Sequence, residues 1–251
     1  MIRMIMHGCG GAMGRVITSI AAEDPDITIV AGIDKNTDIQ CPYPVFPSLD
    51  QCTEKGDVIV DFSAPGAVDP LLDYCEANQI PVVLCTTGLT EEQVEKAKAV
   101  SRSAAVLRSA NMSLGVNLLL KLVAQAARVL AASGFDMEIV EKHHNQKKDA
   151  PSGTALALAE SLNNAMEQAY YNVFDRSRTN EKRDAKEIGI SAVRGGSIVG
   201  EHDVIFAGKD EVVTFSHTAY SKAIFAKGAV SAAKFLAGKG PGIYDMSHVI
   251  G

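Results

Sequence analysis

The sequence carries no surplus of basic residues. Its 24 lysines and arginines stand against 30 aspartates and glutamates, a formal net charge of −6. The molecule as a whole therefore does not advertise a polyanionic partner such as nucleic acid. Five cysteines, Cys9, Cys41, Cys52, Cys75 and Cys85, include no C-x-x-C pair. An odd, scattered set argues against a disulfide frame or a zinc site and reads as thiols in a reducing compartment. The apolar stretch at the N-terminus is too short for a signal peptide, and no run reaches the roughly 18 apolar residues of a membrane span. Internal repeats and low-complexity segments are also missing, as is tryptophan. What remains is ordinary globular composition, 47% hydrophobic and 22% charged over 251 residues, enough for a full core in one or two domains. The expectation is a soluble cytoplasmic protein with neither membrane nor nucleic acid as partner.

The first half alternates strands and helices. Ile2–Met6 is a short apolar run closed by Gly8-Cys9-Gly10-Gly11-Ala12-Met13-Gly14, which turns into a helix, Arg15–Ala22. Ile27–Ile33 is the next strand, and Asp34 ends it, 20 residues past Gly14. Strand, glycine-rich turn, helix, strand and acid, in that order, form the dinucleotide-binding fingerprint. Glycines let the backbone approach a pyrophosphate, the helix N-terminus attracts it, and the acid takes ribose hydroxyls. The spacing is G-x-x-G-x-x-G on Gly8, Gly11 and Gly14, since Met13 stands where a strict G-x-G-x-x-G needs glycine. Val58–Phe62, Val82–Cys85 and Ala105–Leu107 continue as strands, with helices over Pro65–Ala77 and over Glu91–Ser101, the latter capped at Thr90. This is an α/β pattern, a doubly wound, Rossmann-like parallel sheet. Functional residues belong at the carboxyl ends of its strands.

From Leu114 the pattern changes. Leu114–Leu130 is a long amphipathic helix, Asp136–Val140 a strand, and Ala155–Tyr171 a second helix. Arg176–Lys186 reads as a solvated, mobile loop. Glu187–Val193, Glu201–Phe206 and Val212–Ala219 are strands joined by glycine-rich turns, which suggests a second α+β domain on an open mixed sheet. Ala223–Ala237 is an alanine-rich helix, and Gly238–Gly251 a tail. The expected division is 1–112 for dinucleotide binding, 113–222 for substrate binding and oligomerisation, and 223–251 for a helix and tail returning to the first domain.

Between the second domain's first strand and second helix lies Glu141–Ala155, E-K-H-H-N-Q-K-K-D-A-P-S-G-T-A. Ser152 or Thr154 can cap the helix that follows, so that its first N–H groups point at a ligand, and a carboxylate suits that place. His143 and Lys147 can supply protons and positive charge beside it. Adjacent His143 and His144 raise the question of a metal, but neighbours on an extended chain point opposite ways and no acid or cysteine cluster joins them. No metal is expected.

This stretch resembles the signature of the 4-hydroxy-tetrahydrodipicolinate reductase (dihydrodipicolinate reductase) family. Four further stretches are similar to it: Arg194–His202, Phe206–Gly208, His217–Ser221 and Phe225–Ala229. The resemblance implies NAD(P)H-dependent reduction of a small cyclic imine with two carboxylates, in diaminopimelate and lysine biosynthesis, by a homotetramer. It implies that Gly8, Cys9, Gly10, Gly11, Ala12, Met13, Asp34, Lys35, Cys85, Thr86, Thr87, Ser109, Ala110, Asn111 and Met112 bind the cofactor. Substrate contacts fall to His144, Lys147, Ser152, Gly153 and Thr154. The catalytic pair is His143 and Lys147: His143 is assigned as general acid/base, and Lys147 as the cation that holds a carboxylate and as an alternative source of the proton. Two positions depart from the family pattern: Cys85 stands where a glycine is common, and Ala12 where a basic residue is. One cation, Lys35, against one anion, Asp34, predicts use of both NADH and NADPH, with NADH equal or modestly better. Two other readings compete: a non-catalytic dinucleotide sensor, which has no need of His143 and Lys147, and another small-substrate dehydrogenase on the same two-domain plan.

Overall fold

The computed structural model describes residues 1–251, the side chain of Arg178 excepted. The chain divides into two compact units, Met1–Leu114 with Ala223–Gly251, and Gly115–Lys222.

The first unit is built on a seven-stranded parallel sheet. Its order is β12 (Gly242–Tyr244), β6 (Ala105–Arg108), β5 (Val82–Leu84), β4 (Val58–Asp61), β1 (Ile2–His7), β2 (Ile27–Ile33) and β3 (Val45–Phe46). Its central strands are near-continuous apolar runs because both faces are covered. Alternation sorts their side chains. Met4, Met6, Val58 and Val60 face helices α1 (Ala12–Ala22) and α6 (Ala223–Leu236), while Ile5, Ile59, Val82 and Leu84 face α2 (Val68–Asn78) and α3 (Glu91–Val100). Each such fully buried side chain contributes about 1.5–3 kcal/mol. Thr90 and Gln93 form a reciprocal capping box at the start of α3. Helix α1 starts at Ala12, three residues before the expected Arg15, so the glycine-rich turn is shorter than its sequence suggests. β3 and β12 were not expected; each is only two or three residues long, too short to show a period.

The second unit carries a five-stranded mixed sheet, β11 (Val212–Ala219), β10 (Gly200–Ala207), β7 (Asp136–His143), β9 (Glu187–Arg194) and β8 (Tyr171–Phe174). β7, β10 and β11 pair antiparallel, whereas β9 runs parallel to both β7 and β8. Helices α4 (Leu114–Leu130) and α5 (Gly153–Ala165) supply Leu119, Val123, Leu158 and Leu162 to its core. With the 3-10 turn after it, α4 is long and apolar enough to cross a membrane by length and composition, a reading hidden when only uninterrupted apolar runs are counted. Its Val116, Leu119, Val123 and Ala127 nevertheless form one buried stripe at helical spacing.

Three expectations need correction. β7 does not stop at Val140 but runs on through His143. α5 ends at Ala165, not Tyr171, because Glu167 and Gln168 adopt left-handed backbone conformations with φ of 55° and 60°. Tyr171 then opens β8. The stretch 176–186 is not merely a solvated loop. Arg183 reaches Asp136 at 2.8 Å and Glu138 at 2.9 Å, and also donates to the carbonyls of Met137 and Glu187. Arg176 pairs with Glu187. Arg178, in the same stretch, lies outside the described side chains.

Candidate active site

Strand alternation creates the centre of the site in the second unit. Met137, Ile139, Glu141 and His143 share one face of β7, and all are buried. The first two enter the core. The last two continue that face past it, where β7 leads into the turn before α5. There the His143 ring nitrogen Nδ1 lies 2.6 Å from Glu141 Oε2. Arg194, at the end of the neighbouring β9, donates to both Glu141 oxygens, Nη1 at 2.7 Å and Nη2 at 2.6 Å. The Ser152 N–H donates to Oε1 at 3.0 Å. Burial alone would push the Glu141 carboxyl up, but the bonds from Arg194, His143 and Ser152 together hold it below the usual range. Glu141 is thus an ionised, fully buried carboxylate beneath His143. By accepting from Nδ1 it leaves Nε2 as the ring nitrogen available to a ligand.

The loop after His143 is anchored at both ends. Gly195 N–H donates to the His143 carbonyl at 2.9 Å, and Lys147 N–H to the His144 carbonyl at 3.2 Å. His144 itself is half-buried. Lys147 Nζ rests 2.9 Å from Asp149 Oδ2, a carboxylate 59% exposed and therefore easily exchanged for a ligand's. Ser152 caps α5: its hydroxyl accepts the Ala155 N–H at 3.1 Å. That hydroxyl also lies 2.8 Å from His202 Nε2. Ser152 is 2% exposed, so it shapes the turn while Gly153 and Thr154 form the accessible first turn of the helix.

Glu141, Arg194 and His202 lie in stretches that resemble the family, but no role attaches to them from sequence alone. In the structure the ring of His202 meets that of His143 edge to face, with centroids 5.1 Å apart. Burial, and then the neighbouring His143, push the His202 pKa down to about 4. The one available signal was the i, i+2 spacing of Glu141 and His143, legible only once β7 is known to reach His143.

In the first unit the glycine-rich turn is held by tight contacts. Gly8 has φ +82°, and a Cβ there would meet the Phe62 carbonyl oxygen at 2.6 Å. A Cβ on Gly14 would meet the Gly8 and Cys9 carbonyls at 2.5 Å. Beside this turn lies a cleft of about 470 Å³ walled by His7, Gly8, Gly11, Asp34, Lys35, Ser48, Phe62 and Ser63, among others. Asp34 Oδ2 accepts the Gly10 N–H at 2.9 Å, and Oδ1 accepts the Asn36 N–H at 3.1 Å. The carboxylate is therefore fixed at the cleft wall. Arg15 donates to the Gly10 carbonyl at 2.6 Å, a cation on the turn that the sequence reading does not count.

The other predicted cofactor residues follow the carboxyl edge of the sheet. Thr86 bonds Asp61 at 2.6 Å, and Thr87 is exposed beside it. At the end of β6, Ser109 donates to the Asn111 carbonyl and Asn111 Oδ1 accepts the Ser113 N–H. Ala110 is exposed, as is Ala12, while Met13 and Cys85 are half-buried. Cys9 and Met112 are buried in the first core, so only their backbones can face a ligand. A dinucleotide fits this surface: the backbone is bare at Gly8 and Gly11, an N-terminal helix turn follows, and a fixed carboxylate stands across the cleft.

Comparison with known proteins gives consistent results. The family profile described as "Dihydrodipicolinate reductase, N-terminus" matches residues 2–112, and "Dihydrodipicolinate reductase, C-terminus" matches 115–250. The 4-hydroxy-tetrahydrodipicolinate reductase of Caldanaerobacter subterraneus subsp. tengcongensis is 50% identical over 100% of this chain and 98% of its own length. That of Clostridium novyi is 46% identical, with the same coverages of 100% and 98%. Among solved structures, dipicolinate-bound dihydrodipicolinate reductase from Paenisporosarcina sp. TG-14 superposes with a TM-score of 0.81 at 25% identity, covering 100% of this chain and 99% of the other. The Corynebacterium glutamicum DAP dehydrogenase shares the fold alone, with a TM-score of 0.58 at 13% identity, over 100% and 95%.

Proposed function

The chain belongs to the dihydrodipicolinate reductase family, and from that premise we propose how its residues carry out the family's reaction. It is an enzyme, an NAD(P)H-dependent reductase of 4-hydroxy-tetrahydrodipicolinate that yields tetrahydrodipicolinate in diaminopimelate and lysine biosynthesis. When bound, the dihydronicotinamide supplies a hydride; everything else falls to the chain's own side chains. Gly8, Gly11 and the start of α1 receive the pyrophosphate, Asp34 the adenosine ribose, and the edge from Thr86 to Asn111 the nicotinamide half.

In the second unit the substrate's carboxylates go to Lys147, His144 and the first turn of α5 at Gly153 and Thr154. Lys147 exchanges Asp149 for a substrate carboxylate, swapping one charge-assisted bond for another. His143 Nε2 holds and delivers the proton that balances the hydride. Glu141 stabilises the charged ring while Nε2 carries that proton, and Arg194 keeps Glu141 ionised. The observation that carries this reading is the Glu141–His143 pair at 2.6 Å, set in the same turn as Lys147 and the cap of α5.

For the cofactor, Asp34 favours a free ribose 2′-hydroxyl and repels a 2′-phosphate, while Lys35 and Arg15 offset part of that repulsion. Both NADH and NADPH therefore serve, NADH equally or modestly better. A homotetramer in the cytoplasm is the assembly and setting we assign. Support for the assembly is the sheet face opposite α4 and α5, where Lys142 pairs with Glu201 and Asp203 and neither of these two helices packs.

The test is oxidation of each cofactor with the freshly made product of dihydrodipicolinate synthase, with and without pyridine-2,6-dicarboxylate. Consumption of both cofactors, with competitive inhibition by millimolar dicarboxylate, is the expected result. No consumption of either would overturn the assigned reaction. A preference for NADPH of about a hundredfold, or ~2.7 kcal/mol, would remove Asp34 as the ribose ligand.

A further inference from the structure

A polar row crosses three adjacent strands of the first unit's sheet. His7 closes β1, Asp61 closes β4, and Thr86 follows β5. His7 Nδ1 lies 2.8 Å from Asp61 Oδ1, and the Thr86 hydroxyl donates to Asp61 Oδ2 at 2.6 Å. The Ser63 N–H adds a third bond to Asp61 at 3.2 Å. Asp61 is fully buried. Burial would raise its carboxyl, but the bonds from His7, Ser63 and Thr86 outweigh it and hold the group below the usual range. Water-free polar residues at strand ends are expensive to keep unless every partner is in place. Here every Asp61 oxygen is satisfied.

The consequence falls on His7. An ionised Asp61 accepts from Nδ1, so in the neutral ring Nδ1 carries the proton and Nε2 the lone pair. Nδ1 is spoken for. The side chain is 11% exposed, and His7 is part of the wall of the 470 Å³ cleft that also contains Gly8, Gly11 and Asp34. An imidazole lone pair above a carboxylate repels a phosphate oxygen, which has no proton to give. It welcomes a hydroxyl. In sheet order, Asp34 lies on the β2 side of the glycine-rich turn, and the His7–Asp61–Thr86 row extends to the β4 and β5 side. The adenosine ribose is therefore matched to Asp34, and the second ribose to the row.

We infer that His7 Nε2 is a cofactor-binding atom that accepts a hydroxyl of the nicotinamide-side ribose, with Asp61 and Thr86 as its positioning residues. This rests on the cleft being the dinucleotide site. It gives His7 a direct role.

The test separates the two nitrogens. In His7→Asn the amide occupies the place of Nδ1 and keeps the bond to Asp61, but nothing replaces Nε2. Calorimetry with ADP-ribose, which carries the second ribose, and with ADP, which lacks it, reads binding without turnover. His7→Asn is expected to weaken ADP-ribose by about five- to tenfold, the worth of one hydrogen bond, and to leave ADP unchanged. Equal weakening of both would place the contact on the diphosphate or adenosine side and overturn the inference. No weakening of either would make His7 a structural partner of Asp61 alone, and would overturn it too. If wild-type protein binds neither compound, the cleft is not the dinucleotide site, and the inference falls with that reading. Where His7→Asn folds poorly, His7→Gln asks the converse question, because its amide reaches the place of Nε2. It must recover ADP-ribose affinity lost in His7→Ala; no recovery contradicts the assignment.

Discussion

At the scale of single residues, two carboxylates are fully buried, Glu141 beneath His143 and Asp61 beneath His7. Both are carboxylates at strand ends, both are ionised, and both direct an imidazole. His202 is the opposite case, a buried imidazole kept neutral by its surroundings. That gives a pH signature for stability. The unfolded chain protonates His202 near its ordinary value of about 6.5, and the folded chain only at about 4. Between those values the unfolded state binds more protons, so this contribution is complete above pH ~6.5 and is lost as pH falls toward 4. The full loss is of the order of 3 kcal/mol. Urea denaturation from pH 7 to 4.5 should therefore show a shallower decline in His202→Gln, whose amide can still meet Ser152, than in the wild type. Equal slopes would mean that His202 is protonated in the folded state.

At the scale of elements, most of the fold was legible and the gaps have physical causes. The parallel strands β1, β2, β4, β5 and β6 announce themselves as apolar runs closed by turn residues. The end of β7 does not, because its last three residues are Glu141, Lys142 and His143, and polar residues at a strand end look like a loop until their partners are known. The same blind spot hid Glu141 and Arg194, which make sense only as a pair between neighbouring strands. The capped turn before α5 was legible because capping is local: Ser152 and α5 lie within one another's reach in sequence. The 176–186 stretch was misread because Arg183 finds its partners more than forty residues away, on β7. That clamp carries its own prediction. Arg183→Met leaves the Met137 and Glu187 carbonyls and Glu138 without their donor. A loss of about 1–3 kcal/mol is expected, toward the lower end because Asp136 is 47% exposed. Thermal or denaturant melts measure it, with kcat unaffected well below the transition. A melt identical to wild type would show that the clamp is surface decoration.

For the whole molecule, in the function we propose, the two units divide the labour that the reaction requires: a parallel sheet whose carboxyl edge suits a dinucleotide, and a mixed sheet whose central strand ends in His143, the proposed acid–base residue. Full-length identity of 50% to a curated relative and matches to both domains of one family tie the chain to one activity. A dinucleotide sensor would have no use for a fully buried carboxylate clamped by arginine beneath a histidine, next to a lysine with an exchangeable partner. The account therefore stands on His143 working through Glu141. The measurement that tests it most directly is steady-state reduction of 4-hydroxy-tetrahydrodipicolinate by His143→Ala, with cofactor binding followed separately by calorimetry. The account predicts that kcat falls by about 10²–10⁴, the usual worth of a positioned acid or base, while cofactor affinity stays at the wild-type value. A fall of less than about threefold, against that expected range, would contradict it.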